Sequence, residues 1–312
     1  MTETPEFPRD RKSRPRTITP LSIPAVTDFS LLRFPLKQDA LNVAVRSALQ
    51  EDGAFNDITT IATVVSDRRA RATLVARENG VICGVPLALE TFRILDAKAA
   101  IRVEHEDGSA LTAGEPVLFV TGHVRGLLSA ERVALNYLQR LSGIASLTAR
   151  YVAAVAGTKA KILDTRKTTP GWRSLEKYAV RAGGGTNHRM DLSTGVLIKD
   201  NHLAALDGDV AKAVTRARAL APKGVRIEVE CDRIEQVVDA VAAGADIILL
   251  DNMSNDALVE CVKLVDRRAI LEASGGVRLE TVRSIAETGV DWISVGALTH
   301  SARALDLALD FE

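Results

Sequence analysis

Val225-Arg226-Ile227-Glu228-Val229-Glu230, Ile247-Ile248-Leu249-Leu250-Asp251, Ala269-Ile270-Leu271-Glu272 and Trp292-Ile293-Ser294-Val295-Gly296 are short apolar runs that each close on a polar residue or a glycine. They begin roughly 20–25 residues apart, the length of one strand plus one crossover helix. Helical segments lie between them, as in Ile234 to Ala243 and Leu279 to Thr288. Two earlier runs, Ala160-Lys161-Ile162-Leu163 before Asp164 and Gly195-Val196-Leu197-Ile198 before Lys199, carry the pattern back to about residue 158. Repeated strand–helix units with polar strand ends predict a parallel sheet whose chemistry sits at the C-terminal ends of the strands. Six clear units rather than eight predict an incomplete barrel or an open sheet. In the third unit Ile227 and Val229 alternate with Glu228 and Glu230. One set would pack under helices and the other would face the lumen, and two acids there are costly unless they serve a ligand or a cation.

The N-terminal half reads differently. Leu31 to Gln50 has helical spacing, with Leu36, Ala40, Val43, Ala44 and Ala48 along one side, and Asp57-Ile58-Thr59-Thr60 breaks it. Ala72 to Val75, Gly80 to Val85 and Glu115 to Val120 look like strands. Turn signals punctuate them at Asn79-Gly80, Asp107-Gly108 and Ala113-Gly114. A helix is expected over Ala88 to Ala97 and another over Ser129 to Val155. This is an α+β unit.

At 312 residues the chain has room for two domains of about 150 residues. Apolar residues are 46% and charged residues 26%, a composition for a packed core rather than for a disordered chain or a disulfide scaffold. Lys plus Arg and Asp plus Glu are both 40, so no global basic field for nucleic acid exists. Cys83, Cys231 and Cys261 form no CxxC pair and read as free thiols in a reducing compartment. No apolar run approaches the ~18 residues of a membrane span. Residues 1–30 are expected to be a disordered tail on a cytoplasmic protein: they lack an apolar signal core, and Glu3, Glu6 and Asp10 do not suit an organelle address.

The cations at strand ends carry the functional signal. Arg166 and Lys167 follow the first parallel strand, His188-Arg189 follow Gly183-Gly184-Gly185, and Lys199 closes the second strand. If these ends meet, four cations on a neutral protein call for a multiply charged anion, with Arg making two-point contacts and Lys acting as a point charge. Taken singly, each could equally be a surface salt bridge. Glu230 and Asp251 could pair with those cations, or hold Mg²⁺, which takes one or two carboxylates beside substrate phosphate oxygens. Ser274-Gly275-Gly276 and Val295-Gly296-Ala297 lie where the last strand–helix loops of a barrel cradle phosphate. His105 and His123 read as solvated or structural, Trp172 and Trp292 as packing residues, His202 as support behind Lys199, and His300 as a group that could reach phosphate.

These residues also resemble a known family. Asp164-Thr165-Arg166-Lys167-Thr168-Thr169-Pro170-Gly171, Lys177-Tyr178-Ala179-Val180, His188-Arg189, Leu197-Ile198-Lys199-Asp200-Asn201-His202, Glu228-Val229-Glu230 and Leu249-Leu250-Asp251-Asn252 resemble quinolinate phosphoribosyltransferases. So do Glu272-Ala273-Ser274-Gly275-Gly276, Val295 to His300, and Glu131 to Asn136 with Leu141 to Ala145. The resemblance implies an N-terminal sandwich domain over 31–143 plus 299–312, and an incomplete, seven-stranded α/β barrel over 144–298. It implies a C-terminal helix near Ser301 to Leu309, and a homodimer, or a larger assembly built on it, with shared sites. Arg132 would enter the partner's site. Arg166, His188, Arg189 and Lys199 would hold the two carboxylates of quinolinate. Lys167, Thr168, Glu230, Asp251, Ser274, Gly275, Gly276, Val295, Gly296, Ala297 and His300 would address phosphoribosyl pyrophosphate, with Mg²⁺ at Glu230 and Asp251. Lys167, Lys199, Glu230 and Asp251 would act on the reacting groups. The implied activity is phosphoribosyl transfer with decarboxylation in NAD biosynthesis. Ala54 and Asn56 stand where the family usually has glycine.

Other chemistries remain. Lys199 or Lys167 could form a Schiff base, as in a class I aldolase, but such a lysine needs a desolvated pocket. A metabolite sensor would keep the glycine turns without needing both acids. A transferase for a monocarboxylate such as nicotinate would need fewer cations.

Overall fold

The structure, a computed structural model, describes residues Leu32 to Glu312, so the expected tail at 1–30 lies outside the described residues. The N-terminal part contains α1 (Gln38–Glu51), α2 (Ile58–Thr63), β1 (Arg69–Ala76), β2 (Gly80–Val81), α3 (Val85–Leu95), β3 (Ala100–Val103), β4 (Ala110–Leu111), β5 (Pro116–His123) and α4 (Val124–Ala154). The run Gly80 to Val85 is strand for only two residues. Gly84 takes the left-handed conformation (φ +104°), and Pro86 then favours the start of α3. Helix α1 likewise starts later than the spacing suggests, after Pro35.

The parallel part follows as β6 (Lys161–Leu163), α5 (Arg173–Ala182), β7 (Val196–Ile198), α6 (Asp200–Ala204), α7 (Val210–Leu220), β8 (Ile227–Cys231), α8 (Ile234–Ala242) and β9 (Ile247–Asp251). It continues with α9 (Asn255–Val265), β10 (Ile270–Ser274), α10 (Val282–Glu287), β11 (Trp292–Ser294) and α11 (Ala297–His300), and the chain ends in β12 (Leu307–Phe311). All six expected runs are strands. They pair in parallel in the order β6-β11-β10-β9-β8-β7, so the first strand bonds to the last as in a barrel. A seventh segment touches the other side of β6 through one parallel bridge, Leu163 with Thr186. Among the described residues no pairing joins Thr186 to β7, and the ring is open there.

Parallel strands in register send every second side chain to the same face. Ile162, Ile198, Val229, Ile248, Leu250, Leu271, Ala273 and Ile293 are buried in one apolar cluster under the helices. Leu197, Glu230, Leu249, Glu272 and Ser294 have the opposite parity and face the lumen.

The segment expected as a helix from Ser301 to Leu309 is instead extended, and its end, β12, pairs antiparallel with β1 (Leu74 opposite Leu309). Leu305, Leu307 and Leu309 are buried at alternate positions, a period of two that a helix would scatter around its surface. The resulting sheet, β12-β1-β5-β3, packs its apolar face on α3 and α4. Helix α4 has 31 residues, about 46 Å at 1.5 Å per residue. Its Leu127, Ala134 and Leu138 pack on the antiparallel sheet, while Leu141, Ile144 and Ala149 pack on the barrel. At Gly143 a Cβ would stand 2.0 Å from the Arg303 carbonyl, so glycine lets the returning chain cross α4. Arg140 holds that chain as well: it donates to the carbonyls of Thr299 and Ala302 and to buried Glu176 (2.6 Å).

Candidate functional site

The loop after β6 begins with Asp164, a buried carboxylate that organises its neighbours. It accepts from the Lys177 ammonium on α5, from the His188 amide (2.8 Å) and from Asn187 Nδ2 (2.6 Å). Lys177 also donates to the His188 carbonyl at 3.1 Å. Burial pushes the Asp164 carboxyl up and the Lys177 ammonium down, and their mutual attraction opposes both shifts. The product of this network is a fixed backbone for His188 and Arg189.

The strand ends surround a cleft of about 1020 Å³. Arg166 and Lys167 reach it from β6, His188 and Arg189 from the Thr186 segment, and Lys199 from the end of β7. Glu230 and Asp251 line it from β8 and β9, Ser274, Gly275 and Gly276 from β10, and Val295, Gly296, Ala297 and His300 from β11 and α11. Two expected residues are elsewhere. Thr168 turns toward Arg173, whose Nε donates to its hydroxyl at 3.1 Å. Arg132 is exposed on α4, away from this chain's own cleft. Leu197, Leu249, Asn252, Glu272, Arg278 and Ser294 also line the cleft without having been singled out. Residues 197, 249 and 272 stand two positions before a named strand-end residue, and that parity is the signal that would have found them.

The basic side is tightly held. Arg189 donates to the Gly195 carbonyl at 2.8 Å, while burial and the neighbouring Arg166 charge disfavour its cationic form. Arg166 Nε is buried with no partner among the described residues, a donor left open for an acceptor. His188 Nε2 lies 3.1 Å from Glu228 and 3.5 Å from Glu272. Burial disfavours a charged ring, but the hydrogen bonds and charges of those two acids outweigh it and push His188 up to about 10. The Arg189 amide pulls the other way, because it donates to Nδ1 at 2.8 Å and needs a lone pair there. Both influences keep a proton on Nε2.

The opposite wall is built for oxyanions. Gly275 and Gly276 have φ of +92° and +59°, and a Cβ on Gly275 would collide with Asn252 Oδ1 at 2.1 Å. Neither amide has a backbone acceptor among the described residues. Across the cleft Lys199 Nζ meets Glu230 Oε2 at 2.5 Å, and Asn252 Nδ2 donates to Asp251 Oδ2 at 2.7 Å. Glu230 Oε1 and Asp251 Oδ1 are thus uncommitted among the described residues, hard oxygen donors that suit Mg²⁺. Asn252 makes its contact from a left-handed backbone, φ +55°.

Two family models match the chain: "Quinolinate phosphoribosyl transferase, N-terminal domain" over residues 57–142 and its "C-terminal domain" over 144–310. The nicotinate-nucleotide pyrophosphorylase [carboxylating] of Mycobacterium leprae (strain TN) is 48% identical over 280 residues, covering 87% of this chain and 97% of that protein. The probable enzyme of that name from Bacillus subtilis (strain 168) is 44% identical over 260 residues, 83% of this chain and 89% of that one. A solved nicotinate-nucleotide pyrophosphorylase from Francisella tularensis superposes with a TM-score of 0.84 at 39% identity, covering 89% of this chain and 98% of that chain.

Proposed function

Since the chain belongs to the quinolinate phosphoribosyltransferase family, we infer that its cleft joins quinolinate to phosphoribosyl pyrophosphate, giving nicotinate mononucleotide, CO₂ and pyrophosphate in NAD biosynthesis. The observation that carries this reading is the meeting of Arg166, Lys167, Arg189 and Lys199 with two glycine turns in one cleft. Two polyanions must be gathered there, and only clustered cations and free amides can do so on a protein of zero net charge.

Arg166, His188, Arg189 and Lys199 take the ring carboxylates. Lys167, Ser274, Gly275, Gly276, Gly296 and His300 take the phosphates. The pyridine nitrogen brings its own lone pair to ribose C1, so the attack needs no general base. As the C1–oxygen bond lengthens, Lys167 and the glycine amides stabilise the departing pyrophosphate. Mg²⁺ held by Glu230 and Asp251 would neutralise charge on the same oxygens. The quaternised ring nitrogen then draws in the electron pair released when the 2-carboxylate leaves. A Schiff-base role for Lys199 is disfavoured, because its side chain is 46% exposed and paired with Glu230. The decisive test is formation of pyrophosphate, CO₂ and nicotinate mononucleotide from the two substrates, with and without Mg²⁺. No product with Mg²⁺ present would overturn the reading.

Asn252→Gly keeps the left-handed backbone without its strain but removes the Asp251 contact. We expect the Mg²⁺ concentration for half-maximal rate to rise about fivefold, the effect of a hydrogen bond worth about 1 kcal/mol, with the melting temperature unchanged or higher. An unchanged Mg²⁺ requirement would free Asp251 from its dependence on Asn252.

The proposed assembly is a homodimer in which Arg132 of one subunit completes the other's cleft. Its exposure outside its own cleft supports this. Mixed Arg132→Ala and Lys199→Ala chains, each inactive alone, should then regain activity, and continued inactivity after verified exchange would place Arg132 outside the site. Among the described residues no helix is long and apolar enough to cross a membrane, and all three cysteines are free and buried. Both fit the proposed cytoplasmic setting.

A further inference from the structure

Lys167 has an exacting task in the cleft, and no carboxylate holds it there. Asp164 anchors Lys177 and Glu230 anchors Lys199, whereas Lys167 forms no ion pair among the described residues. Its placement therefore depends on its backbone and on the wall its stem crosses. The stem lies along the turn after β11: a Cβ on Gly296 would stand 3.2 Å from Lys167 Cδ and 3.1 Å from His300 Nε2. The Lys167 carbonyl accepts from the Thr299 hydroxyl at 2.7 Å, and from no other donor among the described residues. Thr299 is fully buried on α11, just beyond Gly296.

That contact is braced from behind. Arg140 on α4 donates to the Thr299 carbonyl and, at 2.6 Å, to Glu176 on α5. Glu176, also fully buried, accepts from the Thr169 amide at 3.1 Å and from its hydroxyl at 2.9 Å. Side chains from three helices thus fix the loop at residues 167 and 169. Lys167 and Thr169 are themselves exposed. A rim loop in contact with water can leave its polar groups to the solvent, so this density of anchors serves position rather than burial. Arg166, on the quinolinate side, has a separate hold, its carbonyl accepting from the Thr168 amide at 3.0 Å.

We propose that Thr299 is a positioning residue for the transfer step: its hydroxyl fixes the Lys167 backbone beside Gly296, so that the ammonium meets the departing pyrophosphate where the glycine turn presents it, and the Arg140–Glu176 pair braces that contact. Stabilisation of a leaving group depends on donors already aimed at the charge that develops, and a misplacement on the order of 1 Å can cost about 100-fold. Arg140 also ties down the returning chain at Ala302, so its loss would mix folding with placement. The Thr299 hydroxyl separates the two. This inference rests on the phosphoribosyl-transfer reading and deepens it by one residue.

The test compares Thr299→Val, which keeps the shape without the hydroxyl, with Thr299→Ser, which keeps the hydroxyl without the methyl. Single-turnover pyrophosphate formation is followed in the full-length protein with Mg²⁺ and both substrates saturating, beside melting temperature and calorimetric titration with quinolinate. Thr299→Val should form pyrophosphate about tenfold more slowly while its quinolinate affinity stays within about threefold of wild type. Thr299→Ser should melt a few degrees lower, about the effect of one lost buried methyl, yet keep its rate within about twofold. A role in stability alone would make rate follow melting temperature, so that result overturns the assignment. A wild-type rate in Thr299→Val, or loss of rate and quinolinate affinity together, overturns it too. If Thr299→Val does not fold, Thr299→Ala replaces it, and equal rates in the alanine and serine variants are the overturning result. Absence of pyrophosphate from the wild-type protein would instead sink the underlying reaction.

Discussion

Replacing Arg189 with alanine is expected to weaken quinolinate binding by about 100-fold while changing phosphoribosyl pyrophosphate binding by less than about threefold. The asymmetry follows from where the side chain stands. Arg189 follows the Thr186 segment beside Arg166, and one of its nitrogens is already fixed on the Gly195 carbonyl, so its remaining donors are pre-aimed. A part-buried guanidinium facing a carboxylate is worth roughly 2–5 kcal/mol on truncation, much of it the cost of stranding the other charge. The turns proposed to take phosphate, at Gly275, Gly276 and Gly296, follow β10 and β11, on other strands of the ring. Calorimetric titration with each ligand separately measures both constants. Equal losses would show that the two polyanions do not divide the cleft as assigned.

Lys177→Met should destabilise the fold by about 3–5 kcal/mol, because it leaves Asp164 buried without its counter-ion. Urea denaturation followed by circular dichroism reads this directly, and a loss under about 1 kcal/mol would mean that Asn187 and the His188 amide suffice for the carboxylate. The double variant Lys177→Met with Asp164→Leu separates stability from positioning. Exchanging a buried ion pair for apolar side chains is often neutral, so much of the stability should return. Quinolinate affinity should not return, since the acceptor for the His188 amide and for Asn187 Nδ2 is gone.

Much of the site was legible because strand ends are conspicuous: an apolar run that stops on Lys199, Glu230 or Asp251 announces both the end of a parallel strand and the face where ligands bind. What stayed hidden has physical reasons. Glu272 and Leu249 lie within or at the close of their runs, where only pairing parity distinguishes lumen from helix side. Asp164 and Lys177 are 13 residues apart and meet through the path of a loop, which no periodicity records. The opening of the ring beside Thr186 is an absence of pairing, and no residue type signals that. At the C-terminus, Leu305, Leu307 and Leu309 alternated from the start, yet a run that short fits either a helix or a strand until a partner such as β1 is known. The role proposed for Arg132 belongs to an assembly, and a single chain places it only on an exposed helix face.

The position of β12 bears on how this molecule is made. The first sheet takes its edge strand from residues 307–311, which are polymerised long after the strand they pair with, β1. While the ribosome is still at work, β1 therefore carries an unpaired row of amides and carbonyls, and that edge is open to whatever strand it meets. The N-terminal sheet is thus begun early and finished only after the whole parallel part has followed it off the ribosome.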